Sequence, residues 1–130
     1  MVVITGFQYQ TDLVLRRYQH TPKGQGRLFY LDLPYRVSFY MDGEAATLTI
    51  NPPFATDLAS IPKIVPKWIA QKVAAHIEAA VVHDYLYVTA MWSKEIADEI
   101  FLAAMKAANV PSWRRAVMYR MVRWFGRGEY

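Results

Sequence analysis

The chain has no cysteine. That excludes disulfides and thiolate metal sites, so any metal would be held by oxygen or imidazole nitrogen. It has no run of eighteen apolar residues, so no membrane-spanning segment is expected. Its opening, Met1-Val2-Val3-Ile4-Thr5-Gly6, has neither a basic stretch nor a long apolar core, and no secretion signal is expected. Acidic residues are scarce at the other end. From Ser112 onward five arginines (Arg114, Arg115, Arg120, Arg123, Arg127) face one acid, Glu129, so the whole net charge of +4 sits there. The basic character belongs to one C-terminal segment and not to the surface at large.

Apolar and aromatic residues are plentiful. At 54% hydrophobic and 15% aromatic, 130 residues suffice for one packed domain over 1–130 and argue against disorder. Residues 1–51 read mainly as strands. Phe29, Leu31 and Leu33 alternate with Tyr30 and Asp32, and Val37, Phe39 and Met41 lead into Asp42-Gly43. A two-residue Asp-Gly loop predicts Met41 opposite Glu44, Phe39 opposite Ala46 and Val37 opposite Leu48. Residues 52–72 read as loop and short helix, the latter opened by Pro66, because Asn51-Pro52-Pro53 cannot continue a ladder.

Residues 73–126 read as helical. One helix is expected from about residue 73 to 88. Ser93 caps a second, which carries Ile96, Ile100, Phe101, Ala104 and Ala108 on one face and ends near Asn109, before Pro111. Ser112 caps a third over roughly 113–125, with Trp113, Val117, Met121, Trp124 and Phe125 as an apolar stripe. The expected class is α+β, an N-terminal antiparallel sheet packed against about three C-terminal helices.

The candidate chemistry lies on the first of these helices. Ala79-Ala80-Val81-Val82 is apolar on every side, so the helix is expected to be buried, yet His83 and Asp84 follow at once. Adjacent helical residues point about 100° apart and do not pair with each other. Tyr87 lies one turn beyond His83, and His76 two turns before it. A buried histidine needs a partner. Asp98, at the edge of the next helix's apolar face, is positioned to accept its ring proton and fix its tautomer. Asp57 and Ser60, in the preceding loop, are candidates to close the other side. The same pattern reads equally as a structural tie between helices, with Tyr87 as a packed aromatic, His76 on the surface and Asp57 and Ser60 shaping a turn.

Thr56-Asp57-Leu58-Ala59-Ser60-Ile61-Pro62, Ala79-Ala80-Val81-Val82-His83-Asp84-Tyr85-Leu86-Tyr87, Ala97-Asp98-Glu99-Ile100-Phe101 and Val110-Pro111-Ser112-Trp113-Arg114-Arg115 together resemble domain of unknown function 1353, found in tailed bacteriophages and prophages. The resemblance runs in order from about residue 31 to 126. It implies a phage or prophage origin and a place in the host cytoplasm or the virion, with other virion proteins as partners, but no established reaction. A second, local resemblance is to the catalytic helices of phospholipases A2, carried by His83-Asp84-x-x-Tyr87 and Ala97-Asp98-x-x-Phe101. It implies that His83 is a general base activating water against an ester, that Asp84 binds calcium, that Asp98 orients the histidine and that Tyr87 supports it. The glycine-rich calcium loop and the disulfides of that family are missing here, so the Thr56–Pro62 loop would have to supply the missing oxygen ligands, with Asp57 the candidate within it. A metal phosphohydrolase using His76, His83, Asp84 and Asp98 has suitable chemistry but ill-fitting spacings.

Two readings of function follow: a phage-encoded hydrolase, in the sharpest form a calcium-dependent lipid esterase, or a non-enzymatic virion (tail or capsid) structural or assembly protein. A host-directed interaction protein is a third. Arg114, Arg115, Arg120 and Arg123 read either as solvated charges on a docked helix or as a contact to an anionic surface, with phospholipid the candidate. No aromatic–basic pattern of a known nucleic-acid module occurs, so nucleic acid is not an expected partner.

Overall fold

The computed structural model describes residues 2–17, 29–56 and 74–125, with backbone only at residues 17, 56, 74–76 and 125. Among the described residues six strands precede three helices: β1 (Ile4–Tyr9), β2 (Leu15–Arg17), β3 (Phe29–Leu31), β4 (Tyr35–Met41), β5 (Glu44–Ile50), β6 (Ala55–Thr56), α1 (Ala74–Thr89), α2 (Lys94–Ala107) and α3 (Ser112–Phe125). The class is α+β. The strands form two antiparallel three-stranded sheets, in orders β1-β4-β5 and β2-β3-β6, where one sheet was expected.

The β4–β5 hairpin has the expected register, Met41↔Glu44, Phe39↔Ala46 and Val37↔Leu48. Its turn residues Asp42 (φ 51) and Gly43 (φ 84) both take the positive φ that a two-residue loop of this hand demands. Alternation then buries one face: Tyr35, Val37, Phe39, Leu48 and Ile50 are all buried. On the other side of β4, β1 advances three residues (Thr5 to Gln8) while β4 advances two (Tyr40 to Ser38). Gly6 takes up this bulge at φ +61, with Tyr40 so close that an added Cβ would lie 3.0 Å from its Cδ2. The expected strand through Leu33 is corrected. β3 ends at Leu31, and Leu33, just before Pro34, is exposed; Pro34 has no N–H to donate to a ladder.

The buried sheet face packs against Val81, Val82, Leu86 and Tyr87 of α1 and Ala97 and Ile100 of α2. A second cluster, Ala79, Phe101, Ala104, Met105, Val110, Met118 and Val122, lies among the three helices. Tyr9 links sheet to helices by donating from its hydroxyl to Ala104 O at 2.7 Å. Ser93 caps α2 as expected, its hydroxyl accepting from Ile96 N at 3.3 Å. Asn109 (φ 62) reverses the chain after α2. Ser112 is already the first residue of α3 and not its cap.

The apolar stripe expected on α3 is corrected in part: Val117 and Met121 pack against the helical core, the Phe125 side chain lies outside the described residues, and the two tryptophans do not pack inward. Met118 and Val122 face the core, whereas Trp113 and Trp124 are 50% and 69% exposed. Tryptophans 113 and 124 are eleven residues apart and share one side of a helix turning about 100° per residue, while 118 and 122 lie on the opposite side. The expected helix at Pro66 lies outside the described residues.

Candidate functional site

The centre of the site is the Asp98 carboxylate, fully buried where α1, α2 and α3 meet. Its Oδ1 lies 2.7 Å from His83 Nε2 and accepts the Tyr87 hydroxyl at 2.5 Å. Its Oδ2 accepts Lys94 Nζ at 2.8 Å and Arg123 Nη1 at 3.2 Å. His83 and Tyr87 are one turn apart on α1, and Lys94 and Asp98 one turn apart on α2, so each helix contributes a neighbouring pair. Lys94 also donates to Val122 O at 2.8 Å and Arg123 O at 3.1 Å near the C-terminal end of α3, where the carbonyls lack helical partners.

These contacts set the charges. Burial works to raise the Asp98 pKa, but donation from His83, Lys94 and Tyr87 outweighs it and holds the carboxyl below its ordinary value. Burial lowers the His83 pKa, and its hydrogen bond to Asp98 only partly offsets this. At neutral pH the pair is therefore a carboxylate and a neutral imidazole. A carboxylate has no proton to give, so the ring proton belongs on Nε2 and Nδ1 carries the lone pair, a tautomer assigned from the network.

His83 itself is 0% exposed. Its ring stacks on Phe101 (centroids 4.5 Å apart, planes 27°) and lies against Tyr87 (4.1 Å). Nδ1 is buried and has no hydrogen-bond partner among the described residues. Leaving a buried acceptor unpaired costs about 1–3 kcal/mol, a penalty that calls for an explanation. A groove of about 460 Å³ lies between β1 and α2, lined by Ile4, Phe7, Glu99, Leu102 and Lys106 among others, but His83 is not part of its lining.

Of the residues singled out in the sequence, His83, Tyr87 and Asp98 come together. Tyr87 is more than a packed aromatic, because its hydroxyl is bound to the carboxylate. Asp84 is half-buried on the adjoining side of α1. Asp57 and Ser60 lie outside the described residues, as does the His76 side chain. Among the described residues no group of three His, Asp or Glu side chains is placed to hold a metal ion. Calcium takes six to eight oxygens, so Asp84 alone would not hold such an ion and would need ligands from beyond the described residues.

The arginines of α3 differ from one another. Arg123 reaches Asp98, and Arg115 donates to Val110 O at 2.9 Å. Arg114 lies over the Trp113 ring at 5.1 Å, and Arg120 is exposed. Lys94 was missed in the sequence; its i,i+4 spacing to Asp98 was the available signal.

The sequence profile of a family described as protein of unknown function (DUF1353) matches residues 34–122. Neither the curated proteins nor the solved structures contain a match to the chain.

Proposed function

Because this chain belongs to the family of proteins of unknown function DUF1353, membership supplies no reaction, and we propose one from the site: hydrolysis of an ester, a lipid ester by preference, with His83 as general base. One observation carries the reading. Asp98 holds Nε2 at 2.7 Å while Nδ1, the atom with the lone pair, is left buried and without a partner among the described residues. In the proposed step Nδ1 takes a proton from water as the water oxygen bonds to the ester carbonyl carbon. The carbon–oxygen bond to the leaving alcohol then breaks, and the imidazolium returns the proton to that alkoxide, leaving an acid and an alcohol. Asp98 steadies the imidazolium while Tyr87 fixes the carboxylate. Calcium belongs to this proposal only through Asp84 acting with Asp57, and a calcium titration that leaves the melting temperature unmoved removes it.

A second reading has its own observation. His83 and Asp98 are both fully buried, and Lys94 and Arg123 complete a clasp across three helices. That is what a non-enzymatic virion structural or assembly protein would use to hold its helical half together. Hydrolysis further requires that whatever covers the ring move aside. Assays of short-chain esters and phospholipid vesicles with the wild-type chain and His83→Gln decide between the two. The hydrolase reading expects a loss of about 10²–10⁴-fold in rate with the fold retained. A wild-type chain inert on every ester, with His83→Gln altering only the melting temperature, leaves the clasp.

A further inference from the structure

We propose that the outward face of α3 is a docking surface for anionic phospholipid bilayers. This goes beyond the hydrolytic reading and does not rest on it. Taking Trp113 as the origin and about 100° per residue, Arg120 falls about 20° to one side and Trp124 about 20° to the other. The burial pattern follows the same geometry: Trp113, Ala116, Arg120 and Trp124 are exposed, while Met118 and Val122, on the far side, are buried. Trp124 is 69% and Trp113 50% exposed. Two indoles are thus presented on one line, about 16 Å apart at 1.5 Å rise per residue, with a guanidinium between them.

The charge of this helix selects the partner. Residues 112–125 hold four arginines and no acid. Arg115 and Arg123 are spent on internal contacts, while Arg120 faces outward and Arg114 covers the Trp113 ring. A long exposed indole face is costly in water but suits the headgroup region, where an apolar ring and a polar N–H are both accommodated. Arginines at the same level add attraction to anionic headgroups. A helix lying in the interface plane meets both demands with the face it already exposes. Nucleic acid would use the arginines but has less use for two indoles this far apart on one line.

The test uses the full wild-type chain with ether-linked lipids, which hold no ester to hydrolyse, in vesicles of phosphatidylcholine alone or mixed with phosphatidylglycerol. Co-sedimentation and a blue shift of tryptophan emission are expected with the mixed vesicles only, weakening as salt is raised. Trp124→Ala and Arg120→Glu, both at exposed positions, should each reduce vesicle affinity about tenfold or more with an unchanged melting temperature. Absence of binding to the mixed vesicles overturns the proposal. So does binding that survives Trp113→Ala combined with Trp124→Ala, and so does a preference for duplex DNA over the mixed vesicles.

Discussion

Lys94 Nζ lies 2.8 Å from Asp98 Oδ2, one turn along α2, and the same ammonium reaches Val122 O at 2.8 Å. One side chain therefore ties the carboxylate that holds His83 to the end of a different helix. Lys94→Met removes these two contacts and the third, to Arg123 O, and leaves the Arg123 guanidinium on Oδ2. Hydrogen bonds to charged groups contribute about 1.5–3 kcal/mol, and the 26% exposure of Lys94 places its loss toward the lower end. Chemical denaturation should show that loss, and Lys94→Arg should recover part of it.

Asp98→Ala should be more damaging than any other single change in the clasp. It takes the carboxylate from Lys94, which keeps its bonds to Val122 O and Arg123 O, and from Arg123, and it leaves the buried Nε2–H of His83 without its acceptor. Breaking a buried ion pair costs about 3–5 kcal/mol, and the 26% and 34% exposure of the two cations places this loss toward or below the lower end. Asp98→Asn keeps the shape but loses the charge, and should fall between Asp98→Ala and the wild type. Equal stability for wild type and Asp98→Ala would show that the network contributes nothing.

The pH dependence of stability should have two steps, with signs set by the two shifts. His83 titrates lower in the fold than its ordinary value of 6.5 because burial disfavours the cation. Below pH 6.5 the unfolded chain takes up a proton that the fold resists, so stability falls as pH falls through that region. Asp98 is also held below its ordinary 3.8 by its donors, so its contribution is present above 3.8 and is lost on further acidification. Melting temperatures across pH should show the first decline in the wild type and a smaller one in His83→Gln. Any hydrolytic activity should lose its rate with acid for the same reason, since only the neutral ring accepts a proton.

Tyr87→Phe separates orientation from packing, because the ring stays and only the hydroxyl leaves. The 2.5 Å hydrogen bond to Oδ1 is lost, with an expected destabilisation of about 1.5–3 kcal/mol. If His83 is a general base, the rate should fall more than stability accounts for. A change in KM with kcat untouched would argue against an orienting role.

Gly6→Ala probes the bulge in β1. Its φ of +61 belongs to the left-handed region, where a side chain costs roughly 1–2 kcal/mol. The approach to Tyr40 adds little, because that ring is 49% exposed and able to yield. A melting temperature equal to wild type would show that the bulge rearranges.

Local rules made much of the fold legible in advance. The Asp42-Gly43 turn and the period-two pattern around it set the β4–β5 register, because turn type and alternation act within a few residues. Ser93 announced the start of α2 in the same way. The meeting of His83 with Asp98 was also foreseeable, since a buried imidazole demands an acceptor and the next helix carried one on its apolar edge.

The rest required three dimensions. That Arg123 turns inward to Asp98 while Arg120 turns outward depends on how α3 is rotated against α2, and both look alike as arginines in a basic helix. Trp113 and Trp124 matched a helical apolar stripe, yet the packed side of α3 runs through Met118 and Val122, because only one arc of a helix can face the core and its neighbours choose which. The depth of His83 likewise came from the packing of three helices, since composition along α1 describes a buried helix but cannot measure what closes over one ring. Periodicity and turn chemistry are properties of neighbours in the chain, whereas helix rotation and enclosure are decided by side chains distant in sequence competing for the same interior space.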